Sequence, residues 1–377
     1  MSKTRRFLPL IKPSVGSEEL EQIKGVLESG WLAQGPKVVE FEKKLAQYLD
    51  ARFVIATSSC TTALSLALDI LEIPSGSEVI VPDFTFPATA NIVVRAADEP
   101  VISDIRVDDY SLDVSEFKKG ITKRTSAVIP VHPFGHAAAI NEINEVADKA
   151  GVKVIEDAAT AIGTRYKGKR VGSQSLVACF SFHPRKLLTT AEGGCIATND
   201  EEIAEKARAL RSHGQVNADG HTKFLYNGLN YRLSDVHAAI GIAQLGKIDY
   251  LIESRRKQAK IYNELLESSR MHVHLPVETE YSYDTYQSYV IRLGDRFGRD
   301  RDSCIQVLKN QYGIETQVGT YSLHLQPAFS KSRKIGKLEN GALLYDKTLS
   351  LPLFESLSEE EQKYVVDSLN EIGKQNS

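Results

Sequence analysis

Residues 154–195 read VIEDAATAIGTRYKGKRVGSQSLVACFSFHPRKLLTTAEGGC. Glu156 and Asp157 close one apolar run, and Ser181, His183 and Lys186 lie at the end of a second, Leu176 to Phe182, or just beyond it. A neutral lysine amine attacks an aldehyde, and a carboxylate at fixed distance can hold a protonated ring nitrogen. That pairing is what pyridoxal phosphate (PLP) chemistry requires. The amine forms a Schiff base and later shuttles protons, while the carboxylate keeps the ring able to accept electrons from a carbanion. Spacing alone leaves a second reading open, a strand-end acid and a solvated lysine of the kind found in most α/β proteins.

The wording of the stretch goes further. IEDAA followed by SFHPRKLLTTAEGG closely resembles the signature of the sugar aminotransferases among fold-type I PLP enzymes, the DegT/DnrJ/EryC1/StrS family. The resemblance implies that Asp157 holds the pyridine nitrogen, Ser181 binds the phosphate and Lys186 is the Schiff-base lysine. Three residues past the acid, where many members carry Gln or His near the ring hydroxyl, this chain has Thr160. A hydroxyl there implies tuning of the cofactor rather than loss of function.

Strand-and-helix patterning must position these groups. RFVIATSSCTTALSLALDIL is a short β-run turning through small hydroxyl residues into a helix. Helix starts expose free N–H groups and the positive end of the dipole, which suits a phosphate. Ordinary N-capping by Ser and Thr explains the same residues. By resemblance, Cys60 and Thr61 contact the PLP phosphate, Cys60 being a departure that matters little if its backbone N–H makes the contact. SEVIVPDFTFPATAN gives a strand, a loop and a helix, and the resemblance places Phe86 on the cofactor ring. A flat aromatic there buries apolar area and fixes the ring; without the resemblance Phe84 and Phe86 read as core.

Further strands are expected at Pro100 to Ile102, Ala127 to Val131 and Val152 to Ile155, with helices near 113–120 and 140–150. Alternation of this kind implies a mainly parallel sheet covered on both faces, with ligands beyond the carboxyl ends of its strands. Ser59 to Thr61, Phe86, Asp157 and Ser181 all follow apolar runs, as that rule demands. No GxGxxG stands at a strand-to-helix junction, which excludes the usual dinucleotide fingerprint. His132, His136 and His183 have no carboxylate or cysteine at ligand spacing, so no metal site is expected. Glu192-Gly193-Gly194 reads as a turn where backbone passes close to something bulky.

At the amino end, Ser17 reads as the N-cap of a helix ending near Gly30, with a second helix after Pro36. Trp31, the single tryptophan, lies in the loop between them. The resemblance puts that loop near the active site; packing of a helix corner is the other reading. A helix is expected at Asp200 to Arg211, and a long one from Ser234 to about Ser268, interrupted near Gly246. In NYRLSDVHAAIG the resemblance has Asn230 reaching across a homodimer to the partner's PLP phosphate, with Arg232 a second candidate. Toward the carboxyl end, Ser288 to Leu293 reads as a strand, Gly313 to Val318 as a turn and strand, and Arg299 to Tyr312 and Leu357 to Gly373 as helices. GTYSLHLQPAF resembles the loop bordering the family's substrate pocket, making Tyr321 and His324 substrate candidates, although GTYSLH replaces the more usual HYPxPLH wording.

With 377 residues, a large domain (1–250, PLP-binding) and a smaller C-terminal α/β domain (251–377) are expected. The resemblance implies the fold-type I PLP aminotransferase fold, α/β, with a large αβα domain of mainly parallel sheet plus a small α/β one. The composition is 42% hydrophobic and 25% charged, ordinary for a globular protein, and a net charge of −3 gives no nucleic-acid footprint. Four scattered cysteines without CxxC spacing read as buried thiols. The basic start MSKTRRFLPLIKPS lacks a signal-length apolar run, and no stretch approaches the roughly 18 apolar residues of a membrane helix. A cytoplasmic enzyme is therefore expected. The implied reaction moves an amino group from an amino acid such as glutamate to a keto sugar carried on a nucleotide, with pyridoxamine phosphate as the intermediate cofactor form. A cyclitol ketone acceptor, a PLP sugar dehydratase and a silent PLP-fold binding protein are the alternatives. Lys186 argues against the dehydratase, since those family members carry His there.

Overall fold

The computed structural model describes residues 7–374. Residues 1–6, most of the basic start, lie outside the described residues.

Seven strands form the main sheet: β1 (Phe53–Thr57), β2 (Glu78–Pro82), β3 (Glu99–Ser103), β4 (Thr125–Val128), β5 (Lys153–Asp157), β6 (Val177–Ser181) and β7 (Gly194–Thr198). Their spatial order is β1-β7-β6-β5-β4-β2-β3. All run parallel except β7, which is antiparallel to both neighbours. These strands are apolar almost throughout because both faces are covered. Alternate side chains reach opposite cores: Val54, Ala56, Ala178 and Phe180 one, Ile55, Val177, Cys179 and Ile196 the other. Helices Pro36–Leu49, Ile140–Ala150 and Asp235–Gly246 close the first face. Helices Cys60–Ile70, Ala88–Arg95 and Glu201–Arg211 close the second. The result is an αβα sandwich with the strand ends Thr57, Pro82, Asp157 and Ser181 along one edge.

A smaller antiparallel sheet follows: β8 (Val273–His274), β9 (Tyr289–Leu293), β10 (Gln317–Val318) and β11 (Thr348–Leu351), in the order β8-β9-β11-β10. Helices Ile248–Ser269, Arg301–Val307 and Glu359–Lys374 pack against it around Tyr262, Tyr289, Leu308 and Leu369. Chain order and space diverge here. Leu8 packs in this smaller core, whereas Leu323, Phe329 and Leu338 return to the large one.

Element ends follow local chemistry with small departures. Helix Ser17–Ser29 begins one residue earlier than the Ser17 cap predicts. Gly16 occupies the cap, and the Glu19 carboxylate accepts its N–H at 2.7 Å. The helix over 234–268 breaks at Lys247, dividing into Asp235–Gly246 and Ile248–Ser269. Asp235 turns back to cap Pro36–Leu49, accepting the N–H groups of Gly35, Lys37 and Val38 at 2.8–3.0 Å. All four cysteines are buried and unbridged.

Candidate active site

Asp157 ends β5 and is buried. Its own backbone is pinned, the N–H donating to Pro130 O at 2.8 Å and the C=O accepting from His132 N at 3.1 Å. One carboxylate oxygen accepts the Thr89 hydroxyl at 2.8 Å and the other the Ala159 N–H at 3.2 Å. Burial pushes the Asp157 pKa up against the lowering effect of these donors, Lys186 and His132. A carboxylate in that position is short of positive charge, which is what a protonated ring nitrogen brings.

Lys186 lies in the turn after β6, its N–H donating to His183 O at 2.8 Å. Desolvation lowers the pKa of its amine, and the nearby Cys60 thiol and Asp157 pull it back up. The residue keeps partial exposure, so the amine is desolvated yet reachable. Cys60 completes the cluster: burial raises its thiol pKa, and Asp157 and Lys186 act on it in opposite directions.

Helix Cys60–Ile70 points its amino end at this cluster. Ser59 caps it, its hydroxyl accepting Thr62 N–H at 3.1 Å while Thr62 Oγ1 accepts Ser59 N–H at 3.0 Å. The first-turn amides of Cys60 and Thr61 have no protein acceptor among the described residues. Ser181 sits opposite Gly194 in the β6–β7 register, and a Cβ at Gly194 would lie 2.4 Å from Cys60 N. The bare glycine therefore lets β7 pass under the helix start, with Ser181 its cross-strand partner there. This donor set fits a phosphate at the helix amino end. With Asp157 and Lys186 it offers the three attachments PLP needs.

Thr160 donates its hydroxyl proton to His132 O at 2.6 Å, so its oxygen is left as an acceptor. Phe86 is 65% exposed and meets Tyr321 edge-on at 6.3 Å. Tyr321 and Ser322 pair with Thr85 and Phe84, and Asp83 binds that strand from below. Its carboxylate accepts His324 N–H and the Ser322 hydroxyl at 2.8 and 2.7 Å and lies 2.8 Å from His324 Nδ1. Trp31 is exposed, its indole N–H donating to Gln34 O at 3.2 Å and its ring lying over Gly35. Asn230 is exposed beside β1, in a segment where Tyr231 O accepts Ser58 N–H at 2.9 Å. Arg232 reaches the Ser212 hydroxyl at 3.0 Å. Asp157, Lys186, Cys60, Thr61 and Ser181 thus share one strand edge, and Phe86, Tyr321 and His324 form a second group linked to it through Thr89. Trp31 and Asn230 lie on outer loops.

The histidines find carboxylates through space rather than along the chain. The His132 ring accepts Ala138 N–H at Nδ1 (3.1 Å), so its proton sits on Nε2 and donates to Glu156 at 2.7 Å. His136 Nδ1 lies 2.9 Å from Asp284. Among the described residues no group of three His, Cys, Asp or Glu is arranged to hold a metal, and no helix is long and apolar enough to cross a membrane. Thr89 and Asp83 were not singled out from sequence, and Glu156 was read only as a strand-end acid. Thr89 stands inside the DFTFPATAN wording and was legible there; Asp83 acts across 241 residues and had no local signal.

Comparison with known proteins agrees with this geometry. The family model described as DegT/DnrJ/EryC1/StrS aminotransferase family matches residues 13–370. The chain is 34% identical to the spore coat polysaccharide biosynthesis protein SpsC of Bacillus subtilis over 99% of both chains. Spr1654 of Streptococcus pneumoniae, solved in PLP and PMP forms, superposes with TM-score 0.91; its PLP form is 26% identical and covers 99% of both chains. DesI, solved in the presence of its TDP-sugar product, superposes with TM-score 0.90 at 28% identity, covering 98% of this chain and 93% of that one. A fold, a lysine–carboxylate cluster and a match across nearly the whole length converge, and the chain belongs to the DegT/DnrJ/EryC1/StrS family of PLP-dependent aminotransferases.

Proposed function

We propose that this enzyme transfers an amino group from an amino acid, glutamate, to a keto sugar carried on a nucleotide. The observation that carries the reading is the desolvated Lys186 amine beside buried Asp157 and the free amides of Cys60 and Thr61. SpsC is a polysaccharide biosynthesis protein and DesI has a TDP-sugar product, which supports a nucleotide-linked sugar as acceptor. A sugar-processing role fits the same polyhydroxyl chemistry that a cyclitol would present, and the acceptor screen below separates the two.

In this reading the first-turn amides of Cys60 and Thr61, with the Ser181 hydroxyl, bind the phosphate of PLP. Asp157 holds the ring nitrogen, its orientation fixed by Thr89 and Ala159. PLP when bound supplies an electron sink for the carbanion at the amine-bearing carbon. Lys186 anchors the cofactor and, once released, moves the proton at that carbon, a role that desolvation favours by lowering the amine pKa. Phe86 offers an apolar face to the ring, and Tyr321 and His324 border the acceptor. Asn230 completes the site from a second copy of the chain. The exposed apolar run Phe224, Leu225 and Leu229 beside it supplies surface for that contact.

The test is an absorption spectrum of the protein with PLP before and after glutamate, with Lys186→Ala run alongside. The expected result is a lysine-dependent band in the wild type that glutamate converts to the pyridoxamine form. Lys186→Ala binds PLP without the band and has no turnover. A band that no amino acid changes would move the chemistry toward a lyase or a silent fold, and full activity of Lys186→Ala would remove the lysine assignment. Nucleotide-linked keto sugars and cyclitol ketones are then offered as acceptors in parallel.

A further inference from the structure

The turn that carries Lys186 belongs to no helix or strand, so its backbone must be held from elsewhere. On either side of the lysine one side chain does this. Gln287 Nε2 donates to Arg185 O at 2.7 Å, and Gln287 Oε1 accepts Leu187 N–H at 2.7 Å. The two peptide groups flanking Lys186 are thus spanned by a single carboxamide, 100 residues away in sequence and 3% exposed. A carboxamide carries a donor and an acceptor on separate atoms, so it can satisfy a C=O and an N–H at once.

Gln287 is itself immobilised. Its carbonyl accepts Arg255 Nη1–H at 2.7 Å, from a guanidinium buried on helix Ile248–Ser269. Its backbone lies against Gly135, which has φ +97° and where a Cβ would stand 2.8 Å from Gln287 N. Thr285 N–H donates to Gly135 O at 3.1 Å on the same segment. Burial lowers the Arg255 pKa to about 10, with only a Coulombic pull from Glu355 against it. A buried cation spent on a backbone carbonyl is costly, and here it fixes the residue that grips the lysine turn.

We propose that Gln287 is the positioning residue for Lys186. Its carboxamide holds the lysine backbone still while the side chain passes between its cofactor-bound and free states, so that the released amine returns to one place for proton transfer. The proposal rests on the assignment of Lys186 made above, and concerns a residue just ahead of β9 that touches neither cofactor nor substrate.

The test uses holoenzyme of Gln287→Met and Gln287→Glu, with Lys186→Ala as control. Three quantities are read: the pH titration of the lysine-dependent band, the single-turnover rate with the donor that converts the wild type, and the melting temperature. Gln287→Met keeps volume but loses both bonds, and its donor half-reaction slows by between about 10- and 100-fold at little-changed half-saturation, the cost of a loosened reacting group. Gln287→Glu can still accept Leu187 N–H but faces Arg185 O with a second acceptor unless protonated. Its rate therefore climbs back toward wild type as pH falls, relative to the Gln287→Met profile, and its band titration shifts. Wild-type rates and band titration in both variants, with the band absent in Lys186→Ala, would overturn the proposal alone. A slower Gln287→Met with lowered melting temperature but no acid recovery in Gln287→Glu would reduce Gln287 to a packing residue and also overturn it. A band that survives in Lys186→Ala removes the lysine assignment itself, a separate failure.

Discussion

Lys186 and Asp157 are pushed by the same burial in opposite directions, because desolvation disfavours whichever form is charged. For Lys186 the folded-state pKa is lowered, so its charge costs stability below that pKa and the cost lifts as pH rises through it. Asp157 has a raised folded pKa, so its ionisation costs stability as pH rises from the unfolded toward the folded value. One consequence is kinetic. The neutral amine captures PLP, so the rate of lysine-band formation in the apoprotein should climb with pH with a midpoint below 10.5, the ordinary lysine value. A midpoint at or above that value would contradict a desolvated amine. Thr89 offers a second prediction: Thr89→Val removes the hydroxyl that Asp157 accepts at 2.8 Å. A hydrogen bond to a charged group contributes about 1.5–3 kcal/mol, so kcat should fall by roughly 10- to 100-fold. Steady-state kinetics and a circular-dichroism spectrum separate that loss from misfolding.

At the scale of elements, the phosphate cradle depends on β7 passing under the start of helix Cys60–Ile70. Gly194→Ala places a methyl 2.4 Å from Cys60 N and 2.7 Å from Phe180 O, both backbone atoms that cannot swing aside. The helix start must shift, and PLP affinity in a titration should drop by about tenfold or more, one displaced charge-assisted hydrogen bond being worth at least that. An unchanged affinity would mean that the phosphate lies elsewhere. Asp235 tests a different joint. It caps helix Pro36–Leu49 with three N–H groups from a position on another helix. Asp235→Ala should destabilise by about 2 kcal/mol, at the upper end for a lost cap, read by urea denaturation as a lower midpoint at unchanged slope.

For the whole molecule, the proposed sharing of Asn230 makes a prediction that a monomer cannot meet. The protein should elute at twice 41.7 kDa. Lys186→Ala and Asn230→Ala, each inactive alone, should regain activity when unfolded and refolded together. Half of all dimers are then mixed, each carrying one intact site of its two, about a quarter of wild-type activity by random pairing. No recovery, with dimers present, would place Asn230 in its own chain's site or outside any site.

What could be read from the residues alone was local or repeated. Apolar runs closing on Asp157 and Ser181, hydroxyl residues opening a helix at Cys60 and alternation of strand with helix follow from periodicity and capping, which act over a few residues. They placed the large sheet and its ligand edge; the Lys186–Asp157 pairing rested on the family resemblance, since spacing alone left it open. The antiparallel β7, the return of Leu323 and Phe329 to the large core and the partners His132–Glu156, Asp83–His324 and Gln287–Leu187 were not visible there. The three side-chain pairs join groups 24 to 241 residues apart through hydrogen bonds that exist only once the sheet has closed. Chain chemistry chose which groups could react; tertiary burial decided their charge and what holds them still.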